Sequence, residues 1–515
     1  CLNAAGFPIP LTQWRCSMAR AFEHALPGAL EQLAPLLRVP TEALKIVDGK
    51  RLVRTFCVPD SKGRRRRAQD HPEEWKLFCD YARRDVEALR EVWQRLPLWN
   101  HDPEAWHLDQ RMNDRGFGVD VEFVDAMMSL ITQEQKRADL VMRKRTGGVG
   151  AMQRDKLLEY LLAEHGVYAE DLRSSTINAL LQDPEIPENV RWVLNQRSQA
   201  ARVSTAKYRA FLRGALHGRF RGGLQYCGAQ RTRRWSGRRV QPQNFPRPTM
   251  SWPQIQEAVR DVKLGIADVT LPSIMEAGAN LIRPVIVPRS GATLAVADLS
   301  AIEGRGGAWL CGEEWKVQAF ADYDAGRGED MYKVSYGRSF NRDPATIGKG
   351  PERQIGKVQE LAMQYQGGVG AFVTFAAVYN IDLATLPSLV FPNSDGEVRL
   401  EAEAFYERST DDPNRSTYGL ERDVFVACDI LKRLWRARHP AITATWFALE
   451  DAMRQRIVEA GPPIPVGRMR VARRGSWLVI ELPSGRCLCY PGARVANDGK
   501  LSYFGRRPMS NAWAV

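Results

Sequence analysis

Three stretches of this 515-residue chain gather side chains whose types and spacing suit phosphate chemistry. The first is VADLSAIEGR, where Asp298 ends a short apolar run, TLAVAD, at 293–298. A carboxylate at the end of a buried strand suits a hard cation, because the strand fixes its backbone while the following turn exposes it. The same letters have a plainer reading. Ser300 and Glu303 form S-x-x-E, a capping box, so that Asp298 merely precedes a helix. The second stretch is RQIGKVQELAMQY, residues 353–365. Arg353, Lys357, Leu361 and Tyr365 are successive i, i+4 neighbours on a stripe that drifts about 40° per step around a helix. Ile355, Val358 and Ala362 lie on the other side and suit packing inward. Arg353 as a planar fork and Lys357 as a mobile point charge, one turn apart, suit a triphosphate, and the ring of Tyr365 suits a base. A basic, solvent-facing stripe is the alternative. The third stretch is RTRRWSGRRVQPQNFPRP, residues 231–248. It reads either as an exposed basic loop or as a nucleic-acid contact, with Arg on phosphates or base edges and the Gln243 and Asn244 amides along a groove.

These groups need elements to hold them. Residues 1–97 are expected to be mostly helical, since ALEQLAPLL and DVEALREVWQRL space their apolar residues at three and four. A break is expected at Pro97 to Pro103. Residues 104–218 again read as helix, clearest in KLLEYLLAEHGV and NVRWVLNQRSQAARVSTAKYRAFL, with Gly147, Gly148 and Gly150 interrupting. From Arg219 the texture alternates (RFRGGLQYC), then turns irregular and basic to Pro248. TLAVAD reads as a short apolar strand, helices dominate from about 313 to 460, and RMRVARRGSWLVIELPSGRCLCY reads as a β-meander.

Composition bounds the class. The length predicts roughly three domains, and 44% hydrophobic with 26% charged residues describes a folded protein. No apolar stretch reaches the roughly 20 residues that cross a bilayer, and CLNAAGFPIP lacks the pattern of a signal peptide. No membrane partner is expected. Nine scattered cysteines, with only Cys487 and Cys489 close together, predict buried free thiols in a reducing cytoplasm and no zinc site. The net charge of +13 favours a polyanionic partner. The densest run, KGRRRR at 62–67, is expected to be a solvated loop.

Together the three stretches resemble the family A DNA polymerases, the DNA polymerase I type, with a phage-like character. DLSAIEGR, Asp298 to Arg305, looks like that family's motif A, D-x-S-x-I-E-x-R; Arg353, Lys357 and Tyr365 match motif B, R-x3-K-x7-Y. Thr232, Arg234 and Ser236 followed by Gln243-Asn244-Phe245-Pro246 resemble T-x-R-x-S and Q-N-x-P. Upstream, Tyr81 and Asp85 (YARRD) look like the last motif, Y-x3-D, of a 3′–5′ proofreading exonuclease. RMNDRGFGVDV is similar to the opening of the polymerase region, NQRSQAARVSTAKY to a thumb helix, Asp330-Met331-Tyr332 to the start of a fingers helix, and LKRLWRARHPAITATW to the return from fingers to palm.

The resemblance implies an α+β fold: a right-hand polymerase of palm, fingers and thumb, preceded by the C-terminal part of a ribonuclease H-like exonuclease domain. The implied divisions are 1–97 for the exonuclease remnant, 98–218 for entry segment and thumb, 219–312 for palm, 313–435 for fingers and 436–515 for the return to palm. The implied reaction extends a primer 3′ end on template DNA with deoxynucleoside triphosphates, in DNA replication, with two Mg²⁺ ions at the polymerase site and divalent ions at the exonuclease site. Asp298 is the implied metal ligand, and Arg353 and Lys357 grip the triphosphate. Tyr365 and Tyr332 adjoin the nucleotide, and Glu303 crowds a ribose 2′-hydroxyl. Arg234, Gln243, Asn244 and Arg305 contact DNA. In the exonuclease, Asp85 binds metal and Tyr81 orients water. A phage origin implies the cytoplasm of a bacterial host, and any replisome partners are unspecified.

The chain departs from the pattern in several ways. The palm's His-Asp-Glu is missing; His101-Asp102 precedes the thumb and is rejected as its equivalent. The first exonuclease motifs and an initiator Met are also missing, so truncation at both ends, with weak or no polymerisation by this piece alone, is the expectation. Gly304 stands where a leucine is usual, which is expected to loosen that turn. Leu361 stands where many relatives carry Phe or Tyr against the incoming sugar, which predicts discrimination against dideoxynucleotides. In the full-length polymerase, Leu361→Tyr should raise dideoxy relative to deoxy incorporation in single-nucleotide assays; an unchanged ratio would contradict it. Three rival readings exist: a non-catalytic DNA-binding remnant or accessory scaffold, a stand-alone exonuclease, and a single-subunit RNA polymerase. Retention of Asp298, Glu303, Arg353, Lys357 and Tyr365 together argues against the scaffold. A lone exonuclease would leave most of the chain without a role, and Glu303 beside an upstream exonuclease favours DNA over RNA synthesis.

Overall fold

The computed structural model describes residues 6, 8–40, 49–200, 204–229, 231–506 and 513–514. Residues 201–203 of the expected thumb helix, and most of the two terminal stretches, lie outside them. The chain forms two compact units: residues 1–23, 28–96 and 101–296 make the first, and 24–27, 97–100 and 297–515 the second. No helix among the described residues is long and apolar enough to cross a membrane.

The first unit is mostly helical: α1 (Ser17–Glu23), α2 (Leu30–Leu36), α3 (Gly49–Cys57), α4 (Pro72–Arg95), α5 (Pro103–Arg115), α6 (Val121–Arg145), α7 (Arg154–His165), α8 (Ser174–Gln182), α9 (Glu188–Ala200), α10 (Ser204–Gly214), α11 (Trp252–Leu264), α12 (Ala267–Thr270) and α13 (Ile274–Asn280). Local chemistry sets the starts. Asp102 accepts from the Ala105 N–H at 3.1 Å, with Pro103 at the first helical position of α5. That carboxylate therefore caps a helix, consistent with rejecting His101-Asp102 as a catalytic pair. Asp120 caps α6 in the same way at Phe123. On α6, Phe123, Val124, Met127 and Ile131 recur at helical spacing and pack with Tyr208 and Phe211 of α10 and Ile255 and Val262 of α11.

Short strands complete this unit: β1 (Phe117–Val119), β2 (Ala215–Leu216), β3 (Arg219–Phe220), β4 (Leu224–Ala229), β5 (Arg234–Gly237) and β6 (Ile286–Val287). One sheet runs β2-β3-β1-β6, and β4 and β5 make a separate antiparallel hairpin with a register shift between Gln225 and Ala229. The basic stretch after Cys227 is thus less irregular than its composition predicts, because β5 finds a ladder partner in β4. KGRRRR is an exposed loop, as expected, with Asp60 accepting from the Lys62 and Arg64 backbone N–H groups.

The second unit holds α14 (Ile302–Cys311), α15 (Glu314–Asp324), α16 (Met331–Ser339), α17 (Pro351–Met363), α18 (Val369–Val378), α19 (Leu386–Val390), α20 (Gly396–Asp411), α21 (Arg422–Arg438) and α22 (Pro440–Val458). Helix α21 is buried almost all round, and Phe425, Ile430, Leu431 and Trp435 meet the inner residues of α17 and Phe372 of α18. The expected meander forms as β7 (Ile464–Val466), β8 (Met469–Arg474), β9 (Trp477–Glu481) and β10 (Cys487–Pro491), in spatial order β10-β9-β8-β7. Cys487 and Cys489 sit buried on one face of β10.

One expected element is corrected. TLAVAD forms no strand: the segment is extended but exposed, with Val296 91% accessible. No described strand runs beside it, and β6, just before it, pairs with β1. A strand needs a neighbour for its backbone N–H and C=O groups, and none of the described strands supplies one here.

Candidate active site

Helix α14 (Ile302–Cys311) begins four residues after Asp298. Its N-cap is Ala301, in the left-handed region at φ 50°, and no side chain caps it. The Ser300–Glu303 capping box, the alternative reading of these residues, therefore does not form. Glu303 still occupies the first turn, where the positive end of the helix dipole favours its charge. Its Oε2 accepts from the Tyr365 hydroxyl at 2.7 Å, 62 residues away in sequence. Gly304 does not break the helix; a methyl there would meet Phe320 at an ordinary 3.4 Å. Arg305 turns back on its own unit: its guanidinium forks onto Asp324 at 2.7 and 2.8 Å and lies 4.5 Å from the Phe320 ring centre.

Helix α17 carries the cationic stripe as the spacing predicts. Ile355, Val358, Ala362 and Met363 are buried, and each is worth about 1.5–3 kcal/mol by burial of a full side chain, less for Ala. One correction concerns Tyr365. The helix ends at Met363 with Gln364 as its C-cap, so Tyr365 follows the helix and does not sit on it; it is 63% exposed. Asp330 caps α16, accepting from the Tyr332 and Lys333 N–H groups at 3.0 and 3.3 Å. Its second oxygen accepts from Arg353 Nε at 2.9 Å. The Arg353 guanidinium lies 5.2 Å from the Tyr332 ring centre, and the Lys357 ammonium lies 5.9 Å from that ring and 3.9 Å from that of Tyr379.

Asp298, Glu303, Tyr332, Arg353 and Leu361 line a single cleft of about 430 Å³ within this unit. An exposed acid and a guanidinium held by Asp330 thus share one cleft. Magnesium commonly takes one or two carboxylates and completes its shell with water and phosphate oxygens. Asp298, open at the cleft, fits an ion arriving with a triphosphate. Among the described residues no group of three or more His, Cys, Asp or Glu could cage a resident metal.

No family model matches the chain. The DNA polymerase of Bacillus phage SP02 is 30% identical to it over 518 residues, spanning 97% of this chain and 70% of that protein. The chain belongs to the DNA polymerases. The Pol domain of Pol1 from M. smegmatis, solved in complex with a DNA primer-template and dNTP, covers 87% of the polymerase described here and 75% of its own chain. It is 16% identical with a TM-score of 0.37, too loose a superposition to carry an argument.

In the polymerase's first unit, Arg234 on β5 is exposed, as are Gln243 and Asn244 on the 3₁₀ turn Pro242–Asn244. Val240 and Phe245 anchor this stretch in the core, Trp235 Nε1 donates to Asp109 at 2.8 Å, and Arg283 donates to the Phe245 and Pro246 carbonyls. Burial pushes the Asp109 carboxyl up. The anchored residues alternate with those that present polar groups outward. Tyr81 and Asp85 lie one turn apart on α4, with the Tyr81 ring packed where a Cβ on Gly49 would clash.

Reading the sequence missed Asp330 as the partner of Arg353, Tyr379 beside Lys357, and Gly356. A Cβ at Gly356 would stand 2.1 Å from the Tyr332 carbonyl oxygen, so α16 and α17 approach closely only because that position has no side chain. Gly356→Ala should destabilise the polymerase by roughly 1–3 kcal/mol through overpacking, outweighing the gain in helix propensity. Denaturant unfolding checks this, and a stability equal to or above wild type would contradict it.

Proposed function

We propose that the chain is a family A DNA polymerase that extends a primer 3′ end with deoxynucleoside triphosphates on template DNA. The observation that carries the reading is Asp298 lining one cleft with Arg353 and Leu361 of α17. In this reading 219–312 and 436–515 belong to the palm, 313–435 to the fingers and 98–218 to entry segment and thumb. Residues 1–97, with Tyr81 and Asp85 on α4, are the C-terminal part of a 3′–5′ exonuclease.

Arg353 trades its Asp330 contact for the phosphates of the incoming nucleotide, and Lys357 swings from the Tyr379 ring to the same group. Asp298 holds Mg²⁺. When bound, divalent ions stabilise the attacking and leaving oxygens. The primer 3′-oxygen forms a bond to the α-phosphorus as the α–β bridging bond breaks, the hydroxyl proton passes to solvent water, and Lys357 gives a proton to the pyrophosphate that leaves. Glu303, held by Tyr365, blocks a 2′-hydroxyl, and Leu361 packs against the sugar. Arg234, Gln243 and Asn244 grip primer-template DNA. The +13 charge supports such a partner.

Primer extension by the full-length polymerase with deoxy- and ribonucleotides tests this. Template-dictated deoxynucleotide incorporation is expected, with ribonucleotides admitted only in Glu303→Ala. Extension that ignores the template, or that uses both sugars equally in wild type, would overturn it.

A further inference from the structure

Helix α17 carries a buried carboxylate that the reaction above does not use. Glu360 is 5% exposed and Lys316 of α15 is fully buried, with Lys316 Nζ 2.5 Å from Glu360 Oε2. Trp435 of α21 donates its indole N–H to Glu360 Oε1 at 2.9 Å. His439, between α21 and α22, places Nε2 3.2 Å from Lys316 Nζ and 3.4 Å from Glu360 Oε1. Its Nδ1 lies 2.8 Å from the Trp435 carbonyl oxygen, and its ring stacks on Trp435 at 3.8 Å. Burial alone would raise the Glu360 carboxyl, but Lys316 and His439 together outweigh it and lower the group; burial lowers His439.

The placement on α17 gives this hub a use. Glu360 follows Arg353 by seven residues, which at 3.6 per turn leaves the two about 20° apart on the helix surface. Both line the same cleft. Any roll of α17 about its axis that moves Arg353 must move Glu360 by the same angle. Glu360 is tied to α15 and α21 by directional, charge-assisted bonds from Lys316 and Trp435, whereas apolar packing resists rolling far less specifically. A buried ion pair is also poor value as mere stability, since apolar replacements of similar volume are often as stable or more so.

We propose that Glu360, clamped by Lys316 and Trp435, with His439 behind Lys316, is a positioning residue that fixes the roll of α17 and so aims Arg353 and Leu361 at the incoming nucleotide. The inference rests on α17 being the nucleotide-gripping helix. A single Glu360→Gln change would strand the buried Lys316 charge and confuse folding with function. The informative variant is Lys316→Met/Glu360→Met, which removes both charges together. Trp435→Phe, which keeps the ring and removes one N–H donor, is the second variant should the first not fold.

The test measures thermal unfolding and equilibrium binding of a fluorescent mant-dATP to the full-length polymerase on primer-template DNA with Mg²⁺. Arg353→Ala is run in parallel. The expected result is a double variant with wild-type melting and nucleotide affinity weakened by about tenfold or more, as for small misplacements of a binding group. Trp435→Phe should lose affinity in the same direction by a smaller factor. A folded variant of either kind that binds as tightly as wild type overturns the proposal. Arg353→Ala separates the two levels: if it too leaves binding unchanged, the reading of α17 itself has failed; if it weakens binding while the hub variants do not, only the positioning role has failed.

Discussion

Asp298→Asn in the full-length polymerase is expected to slow single-nucleotide incorporation by about a thousandfold or more, while affinity for primer-template DNA stays within about twofold. The substitution keeps shape and polarity and removes only the charge. Asp298 stands exposed on the cleft wall. No described cluster of three or more acidic, His or Cys side chains could take over its cation. An amide oxygen binds a hard cation far less well than a carboxylate, so the loss falls on the transition state, where the ion's charge matters most. DNA is held elsewhere in this account, by the exposed Arg234, Gln243 and Asn244. Single-turnover kinetics, with anisotropy for DNA binding, checks both halves. A modest rate loss would mean that Asp298 is only the residue before a helix.

Lys357→Ala carries the second large effect. A loss of about a hundredfold to a thousandfold in kcat/KM for the nucleotide is expected, the range seen when one charge-stabilising donor is removed. The Lys357 ammonium rests 3.9 Å from the centre of the Tyr379 ring. A cation–π contact of that kind is worth about 0.5–2 kcal/mol, small enough for a triphosphate to displace. Helix α17 should keep its fold, since Ile355, Val358 and Met363 bury its inner face. Lys357→Arg should rescue only partly, because a planar fork cannot follow a point charge through the same reach. A variant with wild-type kcat/KM and unchanged melting would remove Lys357 from the site.

Much of this was legible in the residues because periodicity and chemistry agreed. The inner residues of α17 follow from i, i+3 and i+4 spacing, and the meander from alternation around Gly475 and Gly485. What escaped was long-range. That Tyr365 bonds Glu303 across 62 residues, or that Asp330 holds Arg353 across 23, follows from packing that no local pattern encodes. TLAVAD shows the opposite failure. Its β-branched, apolar letters predict a strand, but a strand exists only beside another, and none of the described strands lies there. Glu360 was hidden by its neighbours: in QEL it reads as an ordinary helix surface acid, and only the buried Lys316 shows otherwise.

The claim beneath all of this is that Asp298 and Lys357 act on one bound, metal-associated triphosphate. A double-mutant cycle of Asp298→Asn and Lys357→Ala, read as the single-turnover incorporation rate, tests it directly. Groups that work as one unit are strongly non-additive, so the double variant should be little slower than Asp298→Asn alone. Two losses that simply multiply would contradict it, because they would describe two groups acting at separate places.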